Sequence, residues 1–239
     1  MIRGPRAWAT RAVLLAIVGG AGLVLRPASA DDADKAFAAW WKPRQVQFNK
    51  TKVAAERVAI VRELGAREEP KAGEYLSVLL SHGRPEVRLA AAQELAHARH
   101  KAWTPRLLDA MKAANDDIEL EVEIIDTLGE IGDPRACDEI LQYLRRPGYL
   151  RARRVLAAIK KINAPGSLKS LMAIALEILP PKDARAHVGS MNVWDWDKLN
   201  ELGETLLDTL RSVTGQRLDT HEEWRGWYNE NKNLFDEKK

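Results

Sequence analysis

A repeat of near-constant length constrains this chain more than any other feature. Residues 58–64, 89–95, 122–128 and 153–159 line up in register, and their last residues, Leu64, Leu95, Leu128 and Ile159, stand 31, 33 and 31 positions apart. Six residues beyond three of them stands a proline: Pro70, Pro134 and Pro165. The second unit has Thr104-Pro105 instead, a cap and a first-turn proline displaced by a few residues. A period near thirty residues carrying two helices per unit is the signature of a helical solenoid, because one hairpin cannot bury its apolar stripe alone.

The stretch from Asp126 to Arg135 shows how one unit is punctuated. Leu128 and Ile131 are apolar at helical spacing, Gly132 can take the left-handed conformation that closes a helix, Asp133 can cap the next element, and Pro134 suits a first helical position. The register predicts first helices at about 53–66, 85–99, 117–131 and 149–163, and second helices at about 70–82, 104–114, 134–146 and 165–179. Leu107, Leu108 and Met111 form one second-helix stripe, and Ile140, Leu141 and Leu144 another. Ala90, Ala91 and Ala92 are small enough for close helix approach. With 46% hydrophobic and 30% charged residues the chain is globular, and helix formers dominate it. The reading is all-α, with a lead-in at 31–52, an array at 53–180 and a helical extension at 181–239. The lead-in reads as a short helix interrupted by Pro43, and a connector is expected at 182–196. In the extension, Asp197 is placed to cap a helix bearing Leu199, Leu202, Leu206, Leu210 and Val213 and ended by Gly215. Thr220 and Glu223 then form a capping box before a helix with Trp224, Trp227 and Tyr228 on one face.

Leu128-Gly129-Glu130-Ile131-Gly132-Asp133-Pro134 resembles the first-helix motif of the HEAT-repeat family, in its short bacterial variant. Leu64-Gly65 with Pro70, and Ile159 with Ile162 and Pro165, match it in part, and Val87-Arg88-Leu89-Ala90-Ala91 is similar to that family's first-helix core. The resemblance covers about residues 53–180. It implies a right-handed α-solenoid of about four hairpins with terminal capping helices, and a scaffold for protein–protein interaction. Thr214-Gly215-Gln216 with Trp224, Trp227 and Tyr228 resembles a C-terminal extension of some exported HEAT-repeat proteins. Hydroxylases of this fold repeat His-Glu pairs at helix ends, whereas the one His-Glu here, His221-Glu222, lies outside the array.

Residues 1–30 read as a signal peptide. Arg3, Arg6 and Arg11 make a positive start, 13–25 is an apolar core, and Ala28-Ser29-Ala30 is a small-x-small cleavage site. An uncleaved segment would be the chain's one route to a membrane. The segment holds four arginines and no acid, so a chain of net charge +3 becomes −1 without it. The apparent basicity is thus no argument for nucleic acid. An extracytoplasmic location is expected. The single cysteine, Cys137, excludes an intramolecular disulfide and reads as a small buried residue.

The clearest chemical feature is a reversal of charge. From Asp116 to Glu139 stand ten acids and one base, and from Ile140 to Leu176 eight bases and no acid. Pairing between stacked units accounts for part of it, since Arg88 aligns with Glu121, Glu123 with Arg154, and Glu130 with Lys161. Arg145, Arg146, Arg151 and Arg153 are surplus to that pairing and become the candidates for an acidic protein partner. Trp194 and Trp196, in an expected loop, are further candidates, because exposed indoles anchor protein interfaces or stack on sugars. The alternative function is a carbohydrate- or envelope-binding module built on the C-terminal tryptophans, where Trp224 and Trp227 otherwise read as a packing cap. No metal or cofactor is expected. His97 and His100 share a helix face without a third ligand, and Asp195 with Asp197 lacks further oxygen donors. No catalytic set assembles from these residues. If the leader is cleaved where it reads, mass spectrometry of the exported protein will place its N-terminus at Asp31.

Overall fold

The computed structural model describes residues 30–114, 117–146, 148–179 and 196–231. Eleven α-helices follow one another among them: α1 (Ala30–Lys50), α2 (Ala54–Gly65), α3 (Pro70–Leu79), α4 (Pro85–Ala98), α5 (Thr104–Ala113), α6 (Ile118–Ile131), α7 (Cys137–Gln142), α8 (Tyr149–Ile162), α9 (Leu168–Ile178), α10 (Trp196–Thr214) and α11 (His221–Asn231). Short 3-10 turns precede α5, α7 and α9 and follow α7. Residues 1–29 of the expected leader and 182–195 of the expected 182–196 connector lie outside the described residues, whereas Ala30 and Trp196 begin α1 and α10.

Two rows result. The first helices α2, α4, α6 and α8 pack each on the next, and α10 packs on α8. The second helices settle beside them, α3 against α2 and α4, α5 against α6, α7 against α8, and α9 against α10. The register column Leu64, Leu95, Leu128 and Ile159 is fully buried, as the seam of the first row requires. The fold is an all-α, HEAT-like solenoid. The placement of α10 on α8, with α11 against α9, is that of a fifth hairpin added to the stack.

Small residues set the spacing of the first row. Ala90, Ala91 and Ala92 are buried on α4, and the Thr127 hydroxyl of α6 donates across to the Ala92 carbonyl at 3.1 Å. At Gly129 a β-carbon would meet the Ala158 Cα of α8 at 3.0 Å, so a larger residue would push α6 and α8 apart. Helix ends recur in register too. Arg99, Gly132 and Asn163 close α4, α6 and α8 at φ values of 47°, 67° and 47°. Asp133 then accepts from the Arg135 backbone N–H at 3.1 Å and caps the turn Pro134–Ala136 from which α7 departs.

Both ends of the stack are covered. α1 runs through Pro43 as one helix, where the sequence pattern suggests an interruption. Phe37 and Trp41 before the proline and Phe48 after it are all buried, which holds the two halves in line. Arg44 also donates to the Trp40 carbonyl at 3.1 Å. An interior proline costs about 3 kcal/mol, an amount that burial of these three aromatic side chains exceeds. At the other end the capping box of α11 forms in full. Glu223 accepts from the Thr220 N–H at 3.0 Å, and its own N–H reaches the Thr220 hydroxyl at 3.3 Å.

Gly132 provides a direct test of the turn. Nothing stands within 4 Å of a β-carbon there, so the penalty of Gly132→Ala is conformational. Left-handed backbone costs a non-glycine residue about 1–2 kcal/mol, which for a chain of this size lowers Tm by roughly 2–8 °C. Thermal unfolding followed by circular dichroism should show that drop, and a smaller one for Gly132→Asn, since asparagine tolerates the conformation better.

Candidate functional site

The helices that carry the charge reversal, α6 and α8, are neighbours, and most of their charged groups face one another. Glu130 accepts from Lys161 of α8 at 2.6 Å and from Arg99 of the α4 end at 2.8 Å, so one carboxylate ties three successive units. Its hydrogen bond with Lys161 holds its pKa below the usual range, helped by Arg99 and opposed by partial burial. Arg154 pairs with Asp126 at 3.2 Å rather than with Glu123, which instead accepts from Gln93 at 3.3 Å. Burial raises the Asp126 carboxyl, against the pull of Arg154. Arg88 pairs with Asp117 at 2.8 Å, not with Glu121. The Glu130–Lys161 register pair forms as aligned, and the other two shift by a few residues along the helix face.

Glu121 is at the centre of this region. It is 0% exposed, and its two oxygens take Arg151 and Arg146 separately. Arg151, itself 3% exposed, reaches one oxygen through Nε at 2.7 Å and Nη2 at 2.6 Å. Arg146 reaches the other at 2.9 Å and lays its guanidinium over the Tyr143 ring at 4.2 Å from the centroid. Tyr143 in turn donates to the Met111 carbonyl at 3.2 Å, and burial raises its phenol pKa. This one network joins α5, α6, α8 and the turn after α7. A buried carboxylate with two guanidiniums exchanges hydration for charge-assisted hydrogen bonds; without them it would be too costly to keep ionised.

The four candidate arginines therefore divide. Arg151 is internal and buried. Arg146 is shared between Glu121 and water, and Arg145 pairs with Glu177 at 2.7 Å while its side chain stays 43% exposed. The expectation that these bases are surplus to internal pairing is corrected for all three, because the acids they meet lie about thirty residues away in sequence yet on neighbouring helices. Arg153 is exposed, and its guanidinium stands over the Tyr149 ring at 5.4 Å. Trp194 lies outside the described residues. Trp196 is the first residue of α10, and its side chain is likewise outside them. Trp224 is fully buried and meets Trp227 edge-to-face at 5.9 Å, the packing expected of a cap.

Two other groups are accounted for by their surroundings. Cys137 is buried, and desolvation pushes its thiol up to about 11 despite a hydrogen bond with Ser167, so it carries little thiolate at neutral pH. The Asp133 carboxyl, 2% exposed, would rise through burial alone, but its hydrogen bonds from Arg135 bring it below the ordinary range. His82 and His100 each accept a backbone N–H two residues ahead at 3.1 Å, and His97 lies 3.3 Å from Glu94. Among the described residues no three metal-ligating side chains gather, and no helix is long and apolar enough to cross a membrane.

Comparison with known families matches residues 72–160 to a model of HEAT repeats. The match runs from the first turn of α3 into the last turn of α8; α2 and α9–α11 lie beyond it yet extend the same rows. Repeats of this kind build helical scaffolds that commonly serve protein interaction and are typically non-catalytic. No curated protein matches the chain.

Sequence reading missed Glu121 and Arg151 as a buried pair, although a signal was present. Glu121 shares its helix face with Ile124, Ile125 and Leu128, and Arg151 shares its face with Val155, Ala158 and Ile159, so each occupies a core position. Removing one partner of such a pair leaves the other unpaired, at about 3–5 kcal/mol, whereas apolar replacement of both is often near neutral. In urea unfolding at neutral pH, Glu121→Ala should lose stability on that scale, and Glu121→Leu with Arg151→Met should recover most of it.

Proposed function

We propose that this chain is an exported solenoid scaffold that binds another protein on the outer face of its second helices, and performs no catalysis. The observation that carries this reading is the composition of that face. Val78 of α3 is an exposed large side chain, at 61%, beside Tyr75, which keeps 36% exposure while its ring packs on Phe37 and Trp41 of α1; along the row follow Arg106, Asp109 and Lys112, then Asp138, Gln142 and Arg145, then Lys169 and Glu177. An apolar spot bordered by charged side chains is the usual make-up of a protein-binding surface with a polar rim.

Within that face Arg145 and Arg146 are the residues assigned to an acidic partner. Each keeps more than two fifths of its side chain in water while a carboxylate of the same chain fixes its position, exposed Glu177 for Arg145 and buried Glu121 for Arg146, which lowers the ordering cost of contact. Arg151 serves Arg146 indirectly by holding Glu121. Export through residues 1–30 puts the partner outside the cytoplasm.

The test is capture from an extracytoplasmic extract by the immobilised chain. Arg145→Glu should reduce capture of the bound protein at least about fivefold, as for loss of one well-placed interfacial charge, without changing the helical signal. Lys52→Glu, at the far end of the array, should leave it unchanged. Equal capture by all three proteins would reject this face.

A further inference from the structure

One part of the surface is left unexplained by ion pairing and by the second-helix face. α6 and α8 begin side by side. The pairs Glu121–Arg151, Asp126–Arg154 and Glu130–Lys161 run in one direction along both helices, so the two are parallel with their starts level. At those starts stand Ile118, Tyr149 and Leu150, exposed at 48%, 42% and 54%. Glu119 borders them on α6 and Arg153 on α8. Both are exposed, and neither makes an ion pair among the described residues, although every other acid and base named on these two helices does or meets a polar partner.

We propose that this patch is a self-association surface whose occupant is a second copy of the chain. A two-fold axis parallel to the helices sets α6 of one copy over α8 of the other. Ile118 then meets Tyr149 and Leu150 of the second copy, and the reverse, which satisfies the self-complementarity that a two-fold interface demands. The same operation brings Glu119 toward Arg153 of the second copy. In register Arg153 stands one helical turn above the level of Glu119, within reach of two long side chains. A two-fold axis across the helices would instead lay α6 on α6 and set Glu119 against its own copy, so the charge pattern selects the first arrangement. The sequence's reversal from acid to base supplies both halves of this surface.

Three apolar side chains make only the centre of an interface, since stable ones bury roughly 800 Å² on each partner. The association is therefore reversible, with a dissociation constant on the order of micromolar, and weakens as salt rises.

Sedimentation velocity of the chain, purified as the cell produces it, should show a monomer–dimer equilibrium between roughly 1 and 200 µM. Glu119→Arg and Arg153→Glu should each weaken dimerisation at least about tenfold, because each sets like charges against one another twice across the axis. The doubly exchanged protein, Glu119→Arg with Arg153→Glu, should return to within about threefold of the original constant, since opposite charges again face each other. Circular dichroism of each variant confirms that the helices persist. A chain that stays monomeric across the range overturns the proposal, as does a dimer indifferent to both single reversals or one that the double exchange fails to restore. None of these outcomes bears on Arg145, which lies on the other row.

Discussion

No hairpin in this molecule closes its own core. A first helix such as α6 buries one flank on α4 and the other on α8, and its second-helix companion covers only part of what remains. Cohesion therefore comes from the seam between units, where Leu64, Leu95, Leu128 and Ile159 repeat one position in successive layers. That seam needs close backbones, and the small side chains at Ala91, Ala92, Gly129 and Ala158 supply them. It also needs ends, which the aromatics of α1 and Trp224 of α11 provide.

Close stacking determines what the charged residues can do. When two helices lie against each other in parallel, a carboxylate on one comes opposite a group about thirty residues later. Most of the acids of α6 are drawn into such pairs, and the bases of α8 with them. The exposed pairs contribute little energy each, about 0.2–1 kcal/mol, but they favour one register over its neighbours. Glu121 differs because it is inside. Its two arginines make it a polar tie within an apolar seam, fastening the third unit to the fourth. A patterned surface remains: a row of second helices with exposed mixed charge and an apolar spot, and the starts of α6 and α8, where Ile118, Tyr149 and Leu150 stay exposed.

The helices and their ends were readable from residue types because local chemistry sets them. Proline at a first turn, Gly132 in the left-handed closing position, and Thr220 with Glu223 each act within four residues, and the observed elements begin and end within a few residues of where those signals stand. Propensity speaks only for the local backbone and makes Pro43 an interruption, whereas Trp41 and Phe48 are held by packing that no local rule contains. Arg145, Arg146 and Arg151 looked unattached for the same reason, as Glu177 and Glu121 are distant in sequence.

The sequence by itself determined the period, the two-helix unit, the buried column at the end of each first helix and the turn chemistry, since all of these follow from side-chain spacing and backbone preference along the chain. Only the tertiary structure decided which charges cancel, which arginine is interior and which apolar side chains stay in water. Those outcomes depend on the offset between neighbouring helices. A shift of one turn, about 5 Å, is enough to move a guanidinium from one carboxylate to the next, as Arg88 on Asp117 and Arg154 on Asp126 illustrate.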